Sequence, residues 1–102
     1  MSVKCIKKYN ELVIYLYGEI DEHSAKEIRV QLDKIIDANC DVSAVTFDLS
    51  AVTFMDSTGI GMFLGRYKKL KNYQIEVYVT GVSLHLDKIL ELSGIYRLIL
   101  KK

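Results

Sequence analysis

Two runs near the start of the chain show the period-two pattern of β-strands. Residues 3–9 and 11–17 are predicted as strands joined by a short turn near Asn10. In the second run both alternating sets of positions are largely apolar. This pattern indicates a sheet that is covered on one face and partly covered on the other.

The spacing of apolar residues then changes to that of a helix. After a predicted loop at 18–23, Ser24 and Glu27 have the spacing of a capping box, in which Ser24 is the N-cap and Glu27 reaches back to it. The helix is predicted to run to about Asn39. Its apolar face consists of Ala25, Ile28, Leu32, Ile35 and Ile36.

Strands and helices alternate through the rest of the chain. The order β-β-α-β-α-β-α-β predicts one α/β domain over residues 1–102, with an antiparallel hairpin followed by parallel strands and with helices packed on this mixed sheet. The helix after residue 82 has Ser83 as its N-cap and ends at Ser93–Gly94. The other predicted segments are strands at 44–49, 74–80 and 95–100 and a helix at 57–71.

Length and charge narrow the classes of function. The chain has 102 residues, 26% of them charged, and a formal net charge of +1. This balance gives no electrostatic reason to expect a nucleic acid or a membrane as partner. The basic run at 66–71 is interpreted as the cationic end of a helix. Without a signal peptide or a long apolar run, we expect a cytoplasmic protein.

Neither the cysteines nor the histidines have the spacing of a metal site. Cys5 and Cys40 lie far apart and outside any zinc pattern, so we expect free thiols and no metal. His23 and His85 fall in different elements and are expected at the surface. The acidic residues near position 21 resemble an acid–base group, but the acidic start of a helix explains them more simply.

Three glycines at 59, 61 and 65 invite comparison with nucleotide-binding loops. Their spacing is neither that of the dinucleotide fingerprint nor that of a P-loop, so we expect no cofactor and no enzyme activity. Each glycine inside a helix costs about 1 kcal/mol relative to alanine, so their presence requires a reason. Gly61 and Gly65 lie on one helix face. This face is suited either to close packing on the sheet or to docking of another protein.

The stretch at 45–61 has the most functional information. It reads as a buried strand and then a helix that begins at Asp56–Ser57–Thr58. A hydroxyl in the first turn of a helix lies where backbone N–H groups and the helix dipole favour negative charge. A phosphate on such a hydroxyl is compatible with the fold and alters the surface that a partner meets.

These residues resemble the STAS-domain anti-sigma factor antagonists of bacteria. The resemblance spans nearly the whole chain. The continuation Gly65–Arg66–Tyr67–Lys68 is similar to the sporulation branch more than to the general-stress branch. The other segments that resemble the family are 18–21, 54–61 and 92–94.

The resemblance implies a phosphorylation switch. The phosphorylated serine of the family matches Ser57, with Thr58 as a weaker candidate, and Asp21 matches an acidic loop residue beside it. The unphosphorylated form would bind an anti-sigma factor that is also a serine kinase, and a phosphoserine phosphatase would reverse the modification. ATP and magnesium belong to the kinase. The implied partner surface consists of Asp21, Asp56, Ser57, Thr58, Gly59 and Gly61.

One departure from the family and two rival functions affect these expectations. The family usually has a further helix after the last strand, whereas this chain stops at Lys102, so one sheet face is expected to be less covered. A monomer is expected. The first rival is a STAS-type binding module in another signalling or sensory complex. The second is a small enzyme that uses Asp21 and Ser57, for which the sequence offers no base.

Overall fold

A computed structural model describes residues 3–102 of the chain. A single 3₁₀ turn over Ile95–Arg97 separates the last helix from the last strand. The elements are β1 (Val3–Lys8), β2 (Glu11–Ile20), α1 (Ala25–Ala38), β3 (Ala44–Met55), α2 (Ser57–Asn72), β4 (Glu76–Thr80), α3 (Leu84–Ser93) and β5 (Leu100–Lys101).

The strands form one sheet in the order β1-β2-β3-β4-β5. Strands β1 and β2 pair antiparallel and all later neighbours pair parallel, so the predicted mixed sheet is confirmed. Each parallel crossover moves one strand further in the same direction. Right-handed connections therefore place the helices between these strands on the same face.

The core lies between the helices and this face. In β2, Leu12, Ile14 and Leu16 are fully buried, whereas the alternate residues Val13, Tyr15 and Tyr17 are only half-buried. Full burial of a side chain of this size contributes about 1.5–3 kcal/mol. The ring of Phe63 on α2 packs edge-on against that of Phe47 on β3, with centroids 4.7 Å apart. The expectation of one well-covered and one less-covered face agrees with this pattern.

Strands β2 and β3 are longer than predicted. Residues 18–20 belong to β2 instead of the predicted loop, and β3 continues past residue 49 to Met55. The two strands keep pairing as far as Ile20 opposite Met55, with register shifts that a period-two pattern does not reveal. The extra length carries both strands to the place where α2 begins.

Helix α3 begins and ends as predicted. The Ser83 hydroxyl accepts a hydrogen bond from the backbone N–H of Leu86 at 3.2 Å. Gly94 ends the helix with a φ of 81°, in the left-handed region that glycine adopts without strain.

The predicted strand at 95–100 is wrong over most of its length. The N–H of Arg97 donates to the carbonyl of Gly94 at 3.1 Å and closes a turn, and only Leu100–Lys101 join the sheet. Ile95 and Ile99 are both buried. Their spacing of four is typical of a turn that packs on the core, but in a short apolar segment it is easily mistaken for a strand.

Candidate functional site

Asp56 forms the start of helix α2, as predicted. Its backbone is extended, and its Oδ1 accepts a hydrogen bond from the N–H of Gly59 at 2.8 Å. Because Asp56 caps the helix, the hydroxyls of Ser57 and Thr58 are not needed for this purpose. Both residues are exposed, and within residues 3–102 neither hydroxyl has a hydrogen-bond partner.

The second carboxylate oxygen of Asp56 binds the neighbouring loop. Its Oδ2 accepts a hydrogen bond from the N–H of Glu22 at 3.1 Å, and the N–H of Asp56 donates to the carbonyl of Ile20 at 3.2 Å. One aspartate therefore joins the β2–α1 loop to the first turn of α2. Asp56, which the sequence predicted to lie on the partner surface, therefore also stabilises the fold.

Asp21 lies in that loop, where it organises the start of α1. Its Oδ1 accepts hydrogen bonds from the N–H groups of His23 at 2.9 Å and Ser24 at 3.1 Å. Burial opposes ionisation of this carboxyl, but these two backbone donors outweigh it and lower the pKa of Asp21. The structure thus places Asp56, at the start of α2, against the loop that contains Asp21.

The predicted capping box at Ser24 and Glu27 is wrong. Ser24 precedes α1 but makes no side-chain cap bond to the helix. Its hydroxyl instead donates to the carbonyl of Glu19 at 2.8 Å and accepts from the N–H of Asp21 at 3.1 Å. The local pairing within the loop satisfies the hydroxyl first, as serine side chains often do near turns.

Gly59 allows α2 to approach the sheet closely. A Cβ on this buried residue would lie 2.2 Å from the carbonyl oxygen of Ile20 and 3.0 Å from the Met55 side chain. The close-packing explanation given for the glycines therefore applies to Gly59. Sequence reasoning considered close packing for Gly61 and Gly65 and not for Gly59, because spacing alone does not show which helix face meets the sheet.

Gly61 and Gly65 have open space where a side chain would project. Apart from the chain neighbours and the adjoining backbone of α2, no heavy atom of the described chain lies within 4 Å of a Cβ built on either residue. Gly61 is exposed and Gly65 is half-buried. Packing on the sheet therefore does not explain these two glycines.

A shallow groove runs between the first turns of α1 and α2, next to Ser57. The residues on its walls come from the loop and from both helices, and sequence reasoning did not find the residues from α1. The spacing of Lys26 and Arg29 on one exposed side of a helix was the available clue. The groove is lined by Glu22, Ala25, Lys26, Arg29, Thr58 and Met62.

Farther from Ser57, ion pairs connect α1 and α2. Arg66 Nε lies 3.0 Å from Asp33 Oδ1, and Lys69 Nζ lies 3.0 Å from Asp37 and 3.3 Å from Asp33. The Arg66 side chain is only 13% exposed. The basic run therefore does more than complement the helix dipole, since two of its cations bind α1.

The remaining features that the sequence raised are the cysteines, a metal site and a membrane span. Cys5 and Cys40 are free thiols on the surface, as predicted. Within residues 3–102, no cluster of three or more His, Cys, Asp or Glu residues is arranged to hold a metal ion. In the same part of the chain, no helix is long and apolar enough to cross a membrane.

The fold and the comparisons with known sequences define the class of this protein. The model of the STAS domain matches residues 2–102, so the chain belongs to the STAS-domain family. The anti-sigma F factor antagonist of Paenibacillus polymyxa is 32% identical over 87 residues, which are 85% of this chain and 74% of that protein. The anti-sigma-B factor antagonist of Listeria monocytogenes is 33% identical over 82 residues, 80% of this chain and 70% of that protein.

Solved structures share the fold. An anti-sigma factor antagonist from Mycobacterium paratuberculosis superposes with a TM-score of 0.84 at 22% identity, covering 98% of this chain and 84% of that one. The phosphorylated form of the Bacillus cell fate determinant SpoIIAA superposes with a TM-score of 0.70 at 24% identity, covering 99% and 91%. SpoIIAA has also been solved in its unphosphorylated form.

Proposed function

We propose that this chain is an anti-sigma factor antagonist that phosphorylation of Ser57 switches off. The unphosphorylated form binds an anti-sigma factor that is also a serine kinase, and the sigma factor is released. A phosphoserine phosphatase restores the active form. The names of the relatives support the antagonist role. The kinase supplies ATP and magnesium, and the exchange takes place in the cytoplasm with the antagonist as a monomer.

The free hydroxyl of Ser57 is the observation that carries this proposal. Ser57 is exposed at the first position of α2, and Asp56 already caps the helix. A phosphate adds about −1.5 to −2 charges at pH 7. The helix end favours that charge by about 0.3–1 kcal/mol at a surface site. Phosphorylation is therefore compatible with the fold.

The same charge disfavours a protein partner. Asp56 is adjacent to Ser57 in sequence, and its carboxylate holds the loop that contains Asp21. A phosphate buried in a complex beside these carboxylates loses its hydration without gaining a counter-charge from them. Each 1.4 kcal/mol of lost binding energy weakens the complex about tenfold, so a few kcal/mol suffice for a switch.

The proposed partner surface has an outer and an inner part. Ser57, Thr58 and Gly61 are exposed and available for contact. Gly59 is buried and both oxygens of Asp56 accept backbone hydrogen bonds, so these two residues shape the surface from within. Asp21 shapes the adjoining loop in the same way.

Mass spectrometry with site mapping tests the switch. The chain is incubated with ATP, magnesium and the anti-sigma factor kinase of the same organism, with Ser57→Ala and Thr58→Ala in parallel. We expect one phosphate on Ser57 in the wild type and in Thr58→Ala, and none in Ser57→Ala. No phosphate on any form, with the kinase active on another antagonist, would favour a STAS-type binding module in another signalling complex.

The variant Ser57→Asp tests how the switch works. It should bind the kinase at least tenfold more weakly than the wild type, because the added carboxylate meets the partner. Its melting temperature should stay within about 4 °C of the wild type, since the first turn of a helix accepts an acidic residue. A large drop in melting temperature would show that the added charge disturbs the fold.

A further inference from the structure

The contact between α1 and α2 has two unlike halves. The α1 side of this contact is a row of residues four apart, which share one helix face. In the half farther from Ser57, the acidic residues of this row pair with Arg66 and Lys69 of α2. In the half next to Ser57 the helices are separated by the open groove. The row consists of Ala25, Arg29, Asp33 and Asp37.

Arg29 is the charged residue of the open half. It is exposed on the groove wall, and no carboxylate within residues 3–102 lies close enough to form an ion pair with it. Glu22 also lines the groove and contributes one carboxylate to it. Lys26 adds a second cation to the same wall. The groove lining therefore carries two cations and one carboxylate, a net positive charge, whereas the cations in the half farther from Ser57 are paired with acids.

Thr58 and Met62 of α2 line the opposite wall of the groove. Thr58, Gly61, Met62 and Gly65 have the spacing of a single helix face. Side chains on the two glycines would meet no atom of the described fold, so their absence serves no internal packing. The helix face on which Thr58 and Met62 line the groove is thus left without side chains at these two positions.

We propose that this groove receives an acidic side chain of the anti-sigma factor kinase, with Arg29 as its counter-charge; the inference rests on the function proposed above. The groove is continuous with the phosphorylation site, because Thr58 follows Ser57 directly and forms part of the wall. The positive end of α2 adds to the attraction for a carboxylate. A phosphate on Ser57 places competing negative charge beside the same cations, which strengthens the switch.

Neutralising Arg29 tests the counter-charge. The affinity of the unphosphorylated chain for the kinase of the same organism is measured by calorimetry at two salt concentrations. Arg29→Gln should bind about ten- to a hundredfold more weakly and with a smaller salt dependence. Lys34→Gln is the matched control, because it removes one exposed cation from another side of α1. It should bind like the wild type, within about twofold.

A side chain added beside the groove tests whether the partner packs there. Gly61→Ala should raise the melting temperature by about 4–8 °C, because alanine favours the helix and the added methyl group meets no atom of the fold. The same variant should bind the kinase at least tenfold more weakly. A more stable protein that binds less well excludes unfolding as the cause of the loss.

The outcomes separate this inference from the proposed function. If the wild type does not bind the kinase, the antagonist function fails and the groove proposal fails with it. If the wild type binds and both Arg29→Gln and Gly61→Ala bind equally well, only the groove proposal is overturned. Weaker binding by Gly61→Ala alone also overturns it, since the groove then has an occupant that is not acidic.

Discussion

Helices α1 and α2 begin side by side, and each has a serine at or next to its N-cap. At α1, Ser24 directs its hydroxyl into the preceding loop, where it donates to Glu19 and accepts from Asp21. At α2, the preceding Asp56 is the cap and Ser57 has a free hydroxyl. The same side chain is structural in one place and available for chemistry in the other.

The difference between the two serine hydroxyls does not come only from the residue that precedes each serine. The packing of α2 against β2 also contributes. The first turn of α2 lies against the end of β2, because Gly59 has no side chain. This close approach brings Asp56 within hydrogen-bond distance of Glu22, so its carboxylate can hold both the helix and the loop. A free serine hydroxyl at a helix start thus depends on a cap and a glycine that do the structural work.

The largest expected effect follows from adding a side chain at Gly59, where α2 lies close to β2. Gly59→Ala places a methyl group 2.2 Å from the carbonyl oxygen of Ile20, and neither backbone can yield easily. We expect a loss of about 3 kcal/mol in the free energy of unfolding, or about 10–20 °C in melting temperature. Thermal unfolding followed by circular dichroism measures this change.

The matched variant on the same helix sharpens the result. Gly61→Ala adds the same methyl group where no atom of the described chain lies within 4 Å. It should stabilise the fold. Equal melting temperatures for the two variants would show that α2 does not approach β2 as closely as described.

The topology could be predicted from the sequence, because the order of strands and helices follows from the local periodicity of apolar residues. The alternation of strand and helix patterns was sufficient for the mixed sheet. Prediction from the sequence failed where the conformation of one segment depends on its contact with a distant segment. The extension of β2 to Ile20 depends on its pairing with Met55, and the turn at Ile95–Arg97 depends on burial of Ile95 against the core.

The candidate site was predictable to a similar degree. A carboxylate followed by two hydroxyls was sufficient to locate Asp56 and Ser57 at the start of α2. The double attachment of Asp56 was not predictable, because Glu22 is 34 residues away in the chain. Nor was the distinction between Gly59 and Gly61, which depends on the direction in which each position of α2 faces.

An effect of intermediate size is expected on stability, and it distinguishes Ser24 from Ser57. Ser24→Ala removes a hydroxyl that makes two hydrogen bonds to the loop backbone, so it should cost about 1–2 kcal/mol of stability. Ser57→Ala removes a hydroxyl without a partner in the described chain and should change stability by less than about 0.5 kcal/mol. Chemical denaturation of both variants gives the two values, and a ranking in the reverse order would contradict the comparison.

The smallest expected effect concerns the pH dependence of Asp21, which orders the start of α1. Its pKa in the folded state lies below the unfolded value of about 3.9, because the N–H groups of His23 and Ser24 favour the carboxylate. The ionised group therefore stabilises the fold fully above that unfolded value. The contribution is lost as the pH falls through the lower folded pKa.

The variant Asp21→Asn removes this titration, while its side-chain oxygen can still accept the two hydrogen bonds. At pH 7 it should melt slightly below the wild type, and the difference should shrink as the pH falls below about 4. The variant still unfolds in acid, because the carboxyls of Glu11, Asp37, Asp41 and Asp87 also have lowered pKa values. Melting temperatures measured from pH 7 to about pH 2.5 test the prediction. A difference that stays constant over this range would mean that Asp21 orders the loop by shape alone, as the hydroxyl of Ser24 does.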